Sequence, residues 1–185
     1  MGRFVEKKGY SYSLRALALL RARRPDLSFM LNIVGDGPLR SEIEAEVSAL
    51  DLHDVVHFHG SLAHSDALAL LDKAAIFILP SITSKSGDME GIPVSLMEAM
   101  ARSVPVISTR HSGIPELVED GISGLLTPER DVPALAAAVE RLIDQQQLRA
   151  EYGHAGRRKV VAQFNRRSLG MRLSDLYRAL MPQAT

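Results

Sequence analysis

The chain has 185 residues, 46% of them hydrophobic, and its 22 basic and 22 acidic side chains cancel to a formal charge of zero. It contains no cysteine, which excludes disulfides and thiolate zinc sites, and no apolar run of 18 residues, which excludes a simple membrane-spanning helix. The residues show no secretory leader pattern, so the expected compartment is the cytosol.

In chain order, short apolar runs alternate with amphipathic stretches, the pattern of βα units around a parallel sheet. Gly2-Arg3-Phe4-Val5 has the composition of a strand's tail end, so the expectation is a chain cut from something longer, with the missing part on the amino side. A helix is predicted from about Tyr10 to Arg23, then a strand from Ser28 to Gly35, a Gly-Asp-Gly-Pro turn, and a helix from Leu39 to Leu50. Strands follow at Val55–Phe58, Ile76–Leu79 and Val104–Thr109, with a fifth at Gly124–Thr127. Helices are predicted at His64–Ala74, Pro93–Arg102 and Asp131–Asp144, the last with Asp131 as N-cap ahead of Pro133. Beyond Asp144 the pattern is helical through Leu180. The expected fold class is α/β, a Rossmann-like doubly wound parallel sheet with a helical C-terminal tail. In such sheets ligands bind beyond the carboxyl ends of the strands, where the loops bearing Gly35, Gly37, Gly60, Gly91 and Gly113 converge.

The most informative stretch runs from Asp88 to Met100. Glu90 lies in a loop rich in Ser, Gly and Asp, and Glu98 lies in the helix that follows. Pro93 suits the first helical position because its missing N–H would have been unpaired there. The amides of Val94, Ser95 and Leu96 would then face out of the helix start, where the dipole attracts an anion. The helix climbs roughly 7–8 Å from Pro93 to Glu98, so one carboxylate sits near each end of a ligand with an anionic centre. A nucleotide-sugar has that layout: ribose, diphosphate, sugar.

Other features receive plainer readings. From Arg149 onward eight basic residues stand against two acidic ones, leaving the first 148 residues at about −6. Such a tail could touch anionic lipid, but its positives are spaced rather than clustered and no aromatics interleave them, which favours a solvated face and no nucleic acid. His53, His57, His59 and His64 have no carboxylate in metal-binding register, so no metal is expected. Ser81, Ser84 and Ser86 lack the Gly-x-Ser-x-Gly context of a hydrolase nucleophile.

Taken together, Gly2-Arg3-Phe4-Val5-Glu6-Lys7-Lys8-Gly9, Gly35-Asp36-Gly37-Pro38, His59-Gly60, Glu90-x7-Glu98, Ser112-Gly113-Ile114-Pro115-Glu116 and Asp120-Gly121-x-x-Gly124-Leu125-Leu126 resemble the C-terminal, donor-binding half of a retaining glycosyltransferase of the GT-B fold, family four, in its colanic-acid and exopolysaccharide branch. The resemblance runs from Gly2 to about Phe164. It implies that residues 1–164 form the donor domain and that residues 165–185 form a helix crossing to an absent N-terminal acceptor domain.

The same resemblance implies individual roles. Arg3 and Lys8 hold the donor diphosphate, Glu90 contacts the transferred sugar and stabilises charge at its anomeric carbon, and Glu98 binds the ribose. The Val94 and Ser95 amides meet phosphate, Gly91 and Ile92 line the donor site, and the Leu62 backbone faces the base. The substrate is a nucleoside diphosphate-sugar, without metal or other cofactor, and the full enzyme is expected in the cytosol with an option of peripheral contact at the inner membrane face. Two departures stand out: Pro93 replaces a glycine common in relatives, and the loop from Ser81 to Met89 is long. A sugar-nucleotide epimerase or phosphorylase of the same fold, or a non-catalytic nucleotide-binding module, are the alternative readings. The isolated half is expected to turn over nothing, and the apolar stripe Leu169, Met171, Leu173, Leu176, Tyr177 and Leu180 is expected to lack its partner.

Overall fold

The computed structural model describes residues 1–180. Five strands form two parallel sheets: β1 (Leu31–Val34) beside β2 (Val56–Gly60), and β3 (Phe77–Leu79), β4 (Val106–Thr109) and β5 (Leu125–Thr127) in that order. Around them run α1 (Tyr10–Arg23), α2 (Arg40–Ala49), α3 (His64–Leu71), α4 (Val94–Ala101), the short α5 (Ile114–Leu117), α6 (Val132–Asp144), α7 (Gln146–Gln163) and α8 (Arg166–Leu180).

The helices form where the apolar spacing demands them. In α1 the buried Ser13, Leu14, Leu17 and Leu20 recur at three- and four-residue steps and make one face. Leu17 and Leu20 meet the buried stripe of α6, including Leu135, Val139 and Leu142, over the sheet residues Ile107 and Leu125, while Leu14 packs with Phe4 and Ile33. Asp131 caps α6 as expected, its carboxylate accepting the Ala134 N–H at 2.9 Å. On the opposite face Leu71 of α3, Leu96 and Met100 of α4 and Val160 of α7 pack on Phe77, Leu79 and Val106. Helices therefore cover both faces, the doubly wound arrangement. No helix among the described residues is long and apolar enough to cross a membrane.

Element ends differ from expectation in instructive places. The first strand starts at Leu31 rather than Ser28, because the ladder begins only where the Leu31 N–H meets the Val55 carbonyl. Pro93 is the N-cap of α4, in extended backbone, and not its first helical residue. Its carbonyl accepts the Leu96 N–H at 3.1 Å, so only Val94 and Ser95 keep outward amides. The tail helix α8 has no buried residue, and the six apolar residues of its stripe are all exposed.

Candidate functional site

The site is assembled on the carboxyl ends of the strands, beginning at the amino end of the chain. The Gly2 N–H donates to the Val34 carbonyl at 2.9 Å and the Phe4 N–H to the Asp36 carbonyl at 2.8 Å, so residues 2–4 run alongside the end of β1. Gly35 makes this approach possible: its φ is +131°, and a Cβ there would lie 1.9 Å from the Gly2 carbonyl oxygen. Phe4 is fully buried and packs edge-on against Tyr10. After it a short 3₁₀ turn, Glu6–Lys8, ends at Gly9, whose φ of +68° and contact with the Pro80 carbonyl admit no side chain. The Lys7 carbonyl accepts the Ile82 N–H. These contacts fix the backbone that carries Lys8.

Opposite lies the start of α4. Between them a pocket of about 400 Å³ is lined by Met1, Gly2, Lys8 and Glu90, and by Ile92, Pro93, Val94, Ser95 and Glu98 from the α4 side. Lys8 Nζ stands 3.1 Å from Glu90 Oε1, and both side chains are mostly buried. The approach is not aligned as a hydrogen bond, so the contact is Coulombic and Glu90 Oε1 remains a buried acceptor without a donor. Ser95 Oγ is a second buried oxygen without a partner. Lys7 reaches Asp88 at 3.1 Å, and Glu98 faces His64 Nε2 at 3.5 Å. Burial, and then the Glu90 charge, push the Tyr10 phenol upward. Buried polar atoms left unpaired are unusual. Two of them beside a lysine, a glutamate and a helix start define a place for a polar, partly anionic ligand.

Of the residues singled out from sequence, the fold brings Lys8, Glu90, Ile92, Val94, Ser95 and Glu98 to one pocket. Arg3 is exposed and outside the lining, Gly91 is exposed on the loop between Glu90 and Ile92, and Leu62 is half-buried in the β2–α3 connection, two residues before His64.

Sequence reasoning missed the support beneath Glu90. His111, 1% exposed, accepts the Glu90 backbone N–H on Nε2 at 3.0 Å, while its Nδ1 lies 2.6 Å from Glu129 Oε1. With Nε2 accepting, the proton resides on Nδ1 and is donated to Glu129. Glu129 also accepts the Thr83 N–H at 2.9 Å and pairs with Arg130 at 3.1 Å. One buried imidazole thus ties the long Ser81–Met89 loop and Glu90 to the ends of β4 and β5. Burial alone raises the Glu129 carboxyl. The hydrogen bonds from His111 and Thr83, with the Arg130 charge, hold it net below its ordinary value of 4.5. A carboxyl depressed on folding stabilises fully above its ordinary pKa and loses that contribution as pH falls through the folded value. Glu129→Gln is therefore expected to flatten the acid limb of stability below about pH 4.5, measured as thermal midpoint against pH. An acid limb identical to the parent's would refute the assignment.

The geometry defines a doubly wound domain with a candidate ligand site at its strand ends, and comparison with known proteins gives it a family. The profile for glycosyl transferases group 1 matches residues 1–159, and the chain belongs to that family. WcaL of Salmonella typhimurium, named for colanic acid biosynthesis, is 42% identical over 182 residues, covering 97% of this chain and 44% of WcaL. The amylovoran biosynthesis glycosyltransferase AmsK of Erwinia amylovora is 39% identical, with 97% and 44% covered. The chain thus spans less than half the length of these relatives. Among solved structures, sucrose-phosphate synthase of Thermosynechococcus elongatus superposes with a TM-score of 0.81 at 28% identity, over 97% of this chain and 44% of that one. Anabaena HepE in complex with UDP superposes with a TM-score of 0.81 at 23% identity, over 97% and 48%, a likeness of fold. The fold is that of one half of a GT-B glycosyltransferase.

Proposed function

We propose that this chain is the donor-binding half of a glycosyltransferase that moves a sugar from a nucleoside diphosphate-sugar to an acceptor hydroxyl during polysaccharide assembly. The observation that carries the reading is a buried Ser95 Oγ without a hydrogen-bond partner beside a buried Glu90 carboxylate that is ion-paired to Lys8 but accepts no hydrogen bond on Oε1, in a pocket bounded by Lys8, the α4 start and Glu98. Residues 1–164 form the donor domain, and α8 is the helix that crosses to the other half. The Val94 and Ser95 amides and Lys8, with Arg3 approaching from the rim, hold the diphosphate. Glu98 accepts hydrogen bonds from the ribose, and Gly91, Ile92 and Leu62 shape the two ends. In the transfer, the bond from the anomeric carbon to the diphosphate oxygen breaks and the acceptor oxygen bonds to that carbon. The acceptor's proton passes to the departing diphosphate, while Glu90 stabilises the positive charge that develops. The names of the relatives WcaL and AmsK, both given for exopolysaccharide biosynthesis, support the substrate class.

Titration calorimetry with UDP, GDP and ADP tests this. One nucleotide is expected to bind selectively, and Glu98→Ala to weaken it by about tenfold to a hundredfold, the loss of a charged hydrogen bond. EDTA is expected to leave the affinity unchanged, since the phosphate charge is met by protein groups alone. Affinity indifferent to Glu98→Ala, or abolished by EDTA, would count against it.

A further inference from the structure

Four charges meet at the Glu90 end of the pocket. Lys8 Nζ lies 3.1 Å from Glu90 Oε1, and Lys7 Nζ lies 3.9 Å from the same oxygen. Lys7 turns its hydrogen bonds to the loop, donating to Asp88 Oδ1 at 3.1 Å and to the Met89 carbonyl at 3.3 Å. An ammonium has three N–H groups, so two of them serve the residues just before Glu90. Lys7 is not among the residues that line the pocket.

The loop that brings Asp88 here is held from both sides. Glu6 Oε2 accepts the Lys85 N–H at 3.1 Å, and Glu129 accepts the Thr83 N–H at 2.9 Å. Ser84 Oγ accepts the Asp88 N–H, and the Ser84 N–H donates to the Asp88 carbonyl, each at 2.9 Å, which closes the turn. Asp88 and Glu90 are therefore held in place as negative charges. Among the neighbouring groups Glu129 pairs with Arg130 at 3.1 Å, and the charges of Glu6 and Lys85 cancel in sum. The Glu90 side chain is 10% exposed, so water screens it little, whereas Asp88 at 59% is well screened.

With both lysines and both carboxylates in place the cluster is neutral. On the donor-binding reading, on which this inference rests, Lys8 and Arg3 turn to the diphosphate. The sugar end then keeps one lysine, Lys7, against the two carboxylates of Asp88 and Glu90, a net charge of −1. We propose that this end selects a neutral sugar and rejects a uronic acid, with Glu90 and the Lys7-tethered Asp88 as the determinants of sugar charge. A pyranose ring that touches Glu90 keeps all its substituents within a Debye length of about 8 Å of that carboxylate. The rejection therefore holds whichever way the ring lies. Like charges juxtaposed in a binding site carry a heavy penalty, and among the described residues the pocket lining holds no arginine to receive a sugar carboxylate. Neutral hydroxyls, by contrast, can donate to Glu90 Oε1, which lacks a donor.

The test is titration calorimetry of the chain with UDP, UDP-glucose and UDP-glucuronate, and with GDP, GDP-mannose and GDP-mannuronate as a second series. The two esters of each series differ only at C6, so their affinity ratio isolates charge. In the series whose bare nucleotide binds, the uronate is expected to bind about tenfold more weakly than the neutral ester. Glu90→Gln is expected to shrink that ratio to about twofold, and Asp88→Asn to about fivefold because its charge is screened. Asp88 lies on the surface, so its variant reports even where Glu90→Gln disturbs folding. A uronate that binds the parent chain as tightly as the neutral ester would overturn the inference and leave the donor-binding reading intact. A tenfold ratio that survives both variants would also overturn it, placing the discrimination elsewhere. Binding by none of the six ligands would overturn the inference and the donor-binding reading together.

Discussion

Glu90→Gln, introduced into the full-length enzyme, is expected to slow sugar transfer by about a hundredfold to a thousandfold, a loss of about 2.7–4 kcal/mol of transition-state stabilisation. The same change is expected to leave the bare nucleoside diphosphate bound at least as tightly. The opposite signs follow from one contact. Glu90 Oε1 is 3.1 Å from Lys8 Nζ in a largely buried setting, so the lysine is partly neutralised by the carboxylate. On the proposed reading, removing that charge frees Lys8 for phosphate and takes away the group assigned to the anomeric carbon. A glutamine of nearly the same shape preserves packing. Calorimetry and steady-state kinetics separate the two effects. A variant that loses nucleotide affinity and rate together would assign Glu90 a structural part.

His111→Ala is expected to destabilise the domain by about 2–4 kcal/mol, from the cavity, the stranded Glu90 N–H and the loss of one of Glu129's donors. In the full-length enzyme it is expected to lower kcat by about tenfold while leaving nucleotide affinity near the parent value. The reason is geometric: Glu98 and Ser95 sit on α4 and Lys8 closes the 3₁₀ turn, none of them bonded to His111. His111→Gln retains an amide able to accept from Glu90 and donate to Glu129, and is expected to recover part of both losses. Chemical denaturation measures the first effect and a kcat-against-KM comparison the second. A rise in KM with kcat unchanged would show that His111 serves substrate binding instead.

Much of the fold is legible in the chain because its signals are local. Short β-branched runs such as Val106–Thr109 read as strands, and the spacing of Leu14, Leu17 and Leu20 reads as a helix face without knowledge of any partner. Asp131 with Pro133 marks a helix start by chemistry confined to four residues. What escapes is long-range. Lys8 and Glu90 are far apart in sequence, and nothing near either announces that they neutralise each other. The His111–Glu129 pair joins two loops with no periodicity, where a histidine beside Ser112 and Gly113 reads as an ordinary turn residue. Pro93 shows a third kind of miss. Both the N-cap and the first helical position accept proline's φ, and only the ψ of 125° distinguishes them. The division into two sheets is also invisible locally, since each strand looks complete.

The amino-terminal ladder has a consequence for how the site is prepared to bind. Arg3 precedes and Lys8 closes a 3₁₀ turn on a segment held at the end of β1 by three backbone hydrogen bonds, Gly2 to Val34, Phe4 to Asp36 and Leu39 to Phe4. Every degree of freedom left in that segment must be surrendered when a diphosphate is gripped, at about 1–2 kcal/mol per ordered residue. Preorganisation of the two cations, and with it the affinity of the proposed phosphate site, is then set by backbone contacts around Gly2 and Phe4 that lie outside the pocket lining of α4.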